Sequence, residues 1–212
     1  MKALRLGSVR LLALFMCAML LLTVQPVNAL ERATAEDVVH GIVRDSGAAF
    51  AGASLSTEVK RVKIAALVEK FSDITYISEL LLGRHWRKAS PAQQQTFTDL
   101  LVPFFVATYG EMIDAVKVRP DVVFVGVEPR GDSIIVYTQL VTPGEEPVGI
   151  DWLIGASPTG KVGVLDVVAD NISMVTTIRS DFTAVIRSGG GNMEALFDAM
   201  RKKIALADAA PR

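Results

Sequence analysis

The chain of 212 residues has one cysteine, Cys17, and two histidines, His40 and His85. Cys17 falls inside an N-terminal apolar run, so from Leu30 onward there is no thiol. That excludes a disulfide framework, a thiol nucleophile and a His/Cys zinc cage. Glycine-rich phosphate loops are missing as well. Gly189-Gly190-Gly191 lacks the lysine and the preceding strand of such a loop and reads as a helix break. No serine occupies a G-x-S-x-G elbow. Strong charge of one sign is also absent, and with it any electrostatic reason to hold nucleic acid or to adhere to anionic lipid surfaces.

The N-terminus has the layout of a secretory signal peptide: Lys2, Arg5 and Arg10, an apolar run from Leu11 to Leu22, and the small-residue ending Val27-Asn28-Ala29. The run is shorter than the about 20 apolar residues of an uninterrupted span. Phe15 and Met16 before Cys17 do not match a lipoprotein signal, so cleavage is expected after Ala29. Removing the three leader cations from 22 basic residues leaves 19 against 23 acidic ones, a formal net charge of −4. Residues 30–206 are expected to form one domain and 207–212 a flexible tail.

Along the remaining chain, Thr34 with Asp37 marks a helix start, and a Gly-Ala-Ser turn near Gly52 ends that segment. A second helix from about Ser56 to Phe71 places Val59, Val62, Ile64, Leu67 and Val68 on one side. Asp73 caps a short helix ending at Gly83. Ser90-Pro91-Ala92-Gln93 is a strong start signal: a serine cap, proline at the first helical position and glutamine at the third. From there Phe97, Leu100, Leu101, Phe104, Phe105, Tyr109, Met112 and Val116 recur at spacings of three and four. This stripe is wider than a coiled-coil seam, and Pro103 inside it should bend the helix.

Beyond Lys117 the period becomes two. Asp121 to Val127, Ser133 to Val141, Val148 to Ala156 and Lys161 to Ala169 read as four strands joined by hairpins. Asn171-Ile172-Ser173 opens a helix to about Arg187, and Met193, Leu196, Phe197, Met200 and Ile204 mark a last one. The expected fold is α+β: a four-stranded antiparallel meander, between helical segments at about 34–116 and 173–206, with an apolar cavity between sheet and helices.

Candidate catalytic groups are sparse. His85 has the chemistry of a general base, and Asp151 and Asp166 on adjacent strands that of a carboxylate pair. Nothing in the spacing orients a nucleophile against either, and structural roles account for all three. The surplus is apolar: the stripe from Phe97 to Tyr109 reads as core, or as a pocket wall facing Tyr137 and Trp152 across the sheet.

"LLGRHWRKASPAQQQTFTDLLVPFFVATYGEMI" and, further on, "DVVADNISMVTTIRSDFTAVIRSGGGNMEALFDAMRKK" resemble the MlaC or toluene-tolerance family of periplasmic phospholipid-binding proteins. The resemblance extends from about Thr34 to Lys203, and a hopanoid-associated branch shares its motifs. His85 and Pro103 depart from the pattern. The resemblance implies a monomeric periplasmic carrier that moves a phospholipid, or a hopanoid-like lipid, between an outer-membrane lipoprotein complex and an inner-membrane ABC transporter. It implies no enzymatic activity and no cofactor, the lipid being cargo. Acyl chains would meet Phe97, Leu101, Phe104, Phe105, Tyr109 and Met112 from the long helix, Tyr137, Trp152 and Ile154 from the sheet, and Phe182. Arg84, Arg87, Lys88 and Arg179 would contact a headgroup or a partner; a solvated charge cluster is the alternative. Two other classes stay open: a small enzyme using His85 or Asp151 as base, and a subunit that only bridges envelope proteins.

Expressed in a Gram-negative host with its own leader, the purified protein should begin at Leu30. Intact-mass measurement checks this, and a retained leader would contradict the cleavage site.

Overall fold

A computed structural model of the chain describes residues 30–50, 55–114 and 120–209, with the side chains of 111–114 excluded. The leader, the turn at Gly52, the Met112 and Ile113 side chains, Val116 and the last three residues lie outside the described residues.

Five of the six helices described start or stop where local chemistry dictates. Helix α1 spans Arg32–Phe50 and α2 spans Thr57–Phe71, where Ser56 Oγ accepts the Val59 N–H at 3.3 Å. Helix α3, Ile74–Leu82, is capped by Asp73 Oδ1, which accepts from Tyr76 N–H at 3.2 Å. Gly83 ends it with φ of 52°, a conformation that glycine adopts without steric cost. A 3-10 segment, Gly83–Lys88, then leads to α4, Pro91–Asp114. Its capping box is reciprocal: Ser90 Oγ accepts from Gln93 N–H at 3.3 Å, and Ser90 N–H donates to Gln93 Oε1 at 3.0 Å. The helix continues through Pro103, which is exposed and leaves the Asp99 carbonyl without its usual donor.

The sheet is an antiparallel meander in the order β1-β2-β3-β4-β5: Asp121–Arg130, Ser133–Val141, Val148–Ala156, Val162–Ala169 and Ile172–Ser173. The fifth strand differs from the four expected. It is two residues long, too short for an alternation to register, and Asp170 and Asn171 make its turn with φ of 49° and 62°. Ser173 then caps α5, Met174–Ser188, by accepting from Thr176 N–H at 3.0 Å. Helix α6, Met193–Asp208, follows the glycine break. It extends past the expected frayed end: Ala207 is buried, and Arg61 donates to Asp208 Oδ1 at 3.0 Å and to the Ala207 carbonyl at 2.6 Å.

Apolar residues segregate into three clusters. In the first, α3, α4, α5 and α6 enclose Leu82, Phe97, Phe182, Phe197 and Met200. In the second, α1 lies on the sheet and buries Ala35 and Val39 against Ile134, Val136 and Ile154. The third is small and joins α2 to α4 through Ile64, Val102 and Val106. Gly41 lets α1 approach α2, since a Cβ there would stand 2.9 Å from the Phe71 ring. The width of the α4 stripe follows from this arrangement: α4 faces α2, α3 and α6 at once.

Phe197 is 1% exposed at the centre of the helical cluster. Phe197→Ala should therefore cost about 3–5 kcal/mol in chemical denaturation; a loss below about 1 kcal/mol would show that the cluster is not a packed core.

Candidate functional site

The three clusters leave a gap where they would otherwise meet. This cavity, of about 220 Å³, is bordered by α2 (Leu67, Val68, Phe71), α3 (Ile74, Ile77, Leu81) and α4 (Leu101, Val102, Phe104, Phe105, Tyr109). Ile42 of α1, Trp152 of β3, Val164 to Val167 of β4 and Met174, Val175 and Ile178 of α5 complete it. Four consecutive β4 residues contribute, and in this stretch the β3–β4 register shifts at Leu153/Ile154, which leaves Leu165 without a paired partner.

The lining is almost wholly apolar, and its indole N–H and its carboxylate have internal partners. Trp152 Nε1–H donates to Thr138 Oγ1 at 2.9 Å, and that hydroxyl donates to the Ile150 carbonyl at 3.0 Å. Asp166, the one carboxylate among the described lining residues, accepts from Val167 N–H at 2.8 Å, Val175 N–H at 2.9 Å and Ser173 Oγ at 2.5 Å. It therefore ties the start of α5 to β4. Burial, and secondarily the charge of Asp181, push the Tyr109 hydroxyl above the usual tyrosine pKa, so it stays neutral.

A half-open concavity with so apolar a lining has the chemistry of a site for a greasy ligand.

Of the expected contact residues, Leu101, Phe104, Phe105, Tyr109 and Trp152 border the cavity. Phe97 and Phe182 do not: they pack edge to face at 5.5 Å inside the helical cluster. Ile154 is fully buried beneath α1. Tyr137 pairs with Asp151, so strand alternation puts it on the face opposite Trp152, where its hydroxyl donates to Glu128 at 3.0 Å. Arg84, Arg87 and Lys88 are exposed, and Arg179 donates Nε–H to the Leu80 carbonyl at 2.7 Å; none borders the cavity. His85 also lies outside it, and burial, then the charges of Arg84 and Lys88, hold its pKa below the ordinary imidazole value. Val59 and Val62, expected on the apolar side of α2, are 40% and 63% exposed. The sequence reading missed the walls from α3, β4 and α5; the apolar run Ile74, Ile77 and Leu81 at helical spacing carried that signal for α3.

The sequence matches the MlaC protein family over residues 49–202. The chain belongs to the MlaC family. A structure of a phospholipid-binding protein from Ralstonia solanacearum in complex with a phospholipid is similar, with a TM-score of 0.68 at 23% identity. The match covers 82% of this chain and 98% of that one. This MlaC-family chain therefore shares that protein's fold over most of its length.

Asp166→Asn would turn a group accepting three donors into one that is itself half donor. It should cost about 1–3 kcal/mol in denaturation and speed amide exchange in the first turn of α5. Unchanged exchange there would show that Asp166 does not hold the helix.

Proposed function

We propose that the protein is a periplasmic lipid carrier that binds phospholipid acyl chains in the cavity between sheet and helices and shuttles the lipid between the outer membrane and an inner-membrane ABC transporter. Membership of the MlaC family and the phospholipid held by the similar Ralstonia solanacearum protein support a phospholipid as cargo. The observation that carries the reading is the apolar cavity itself. An enzyme is less well supported: His85 and Asp151 do not border the cavity, and both Asp166 oxygens accept structural hydrogen bonds.

The energetics fit a carrier. Burying acyl chain contributes roughly 0.8 kcal/mol per methylene, so about thirty methylenes hold a two-chain lipid by on the order of 20 kcal/mol against escape into water. Release then requires a docked acceptor. A volume of about 220 Å³ lies below the roughly 300–1,000 Å³ of sites for drug-sized ligands. Cargo therefore has to part the clusters as it enters, which costs less than parting one continuous core.

Protein expressed with its leader should carry phospholipid in native mass spectrometry, and organic extracts should identify it. Phe105→Glu, which puts a charge in the lining, should abolish retention, while His85→Ala should keep it nearly intact. Lipid-free wild-type protein, or the opposite pattern in the variants, would overturn the proposal.

A further inference from the structure

A second site lies outside the cavity. Arg84, Arg87 and Lys88 are exposed on one 3-10 segment, and Arg179 joins them across Gly83, where a Cβ would meet its Cδ and Nε at 3.7 Å. None of the four belongs to an ion pair among the described residues. Glu79 and Asp181, the nearest acids in sequence, are exposed and do not pair with them. Their unneutralised field reaches His85, which feels both Arg84 and Lys88.

The patch is built rather than loose. Ala89 N–H closes the turn on the His85 and Trp86 carbonyls at 3.0 and 3.2 Å, and Gln94 Nε2 donates to the Trp86 carbonyl at 2.9 Å. The Trp86 ring packs against the helical cluster. Arg179 is pinned through Nε, which leaves the far end of its guanidinium outward. A guanidinium held in this way suits a carboxylate, which it binds in bidentate geometry.

We propose that Arg84, Arg87, Lys88 and Arg179 form a docking surface for the carboxylates of an acidic protein partner. A headgroup of cargo fits less well, because none of the four borders the cavity. A membrane surface also fits less well. None of the exposed large apolar side chains lies on α3, the 3-10 segment or α5 to anchor the patch in a bilayer. The surface stands whether or not the cavity carries lipid. Leu80 and Arg179 adjoin Leu81 and Ile178, which border the cavity, so a docked partner sits on the outside of its wall.

The test uses the full protein, a fluorescent oligoglutamate peptide read by anisotropy at low and high salt, and flotation with phosphatidylethanolamine/phosphatidylglycerol vesicles. R84Q/R87Q/K88Q should weaken peptide binding roughly tenfold or more, since each exposed ion pair contributes up to about fivefold. R201Q/K202Q/K203Q removes the same charge from the exposed side of α6 and should leave binding within about twofold, and salt should weaken the wild type. Circular dichroism and lipid content report folding separately. Equal losses in both variants, no peptide binding by the wild type, or patch-dependent vesicle binding at least as strong as peptide binding would overturn the proposal.

Discussion

The structure depends on how α4 divides its contacts. A helix in a small α+β domain ordinarily gives one stripe to one core. Here Phe97 and Leu101 go to α5 and α6, Val102 and Val106 go to α2, and Phe104, Phe105 and Tyr109 are left for the space between. The α1–sheet cluster closes that space without filling it. Because interiors pack at crystal-like density, the surrounding clusters have to hold their own packing around such a gap. The helical cluster is the tightest of them, with Phe97, Phe197 and Met200 at most 1% exposed.

Much of the fold was legible because its boundaries are set by local chemistry. Ser56, Asp73 and Ser90 cap helices where the sequence placed them, since a side-chain oxygen answering a free N–H is a contact within three residues. Strands β1 to β4 followed from alternation. What failed was information that depends on neighbours. Val59 and Val62 share the spacing of Ile64, yet no element covers them. The face of Tyr137 is fixed by its register with Asp151, which its own strand does not encode. The fifth strand exists only because Ala169 and Val168 pair back with Ile172 and Ser173.

The candidate site was half legible for the same reason. Periodicity identified an apolar surplus on α4 without saying which part of it met a core. Phe97 and Phe104 are seven residues apart on one stripe and both touch Phe182, yet only Phe104 also reaches the cavity. The role of Asp166 depended on a different kind of information. Asp166 resembles a reactive carboxylate in sequence, and only the return of the chain at Ser173 and Val175 shows that its lone pairs are engaged.

The indole of Trp152 has a consequence for how the cavity behaves. Its N–H is held by Thr138, a hydroxyl only 2% exposed and itself anchored to the Ile150 carbonyl. Swinging the ring aside would break the Trp152–Thr138 hydrogen bond, whereas Leu67, Val68 and Met174 in the same lining change rotamer with no polar cost. The sheet side thus acts as a fixed jaw and the helical side as the moving one, so occupants of different bulk share one flat seat and differ only in how far they displace the opposite wall.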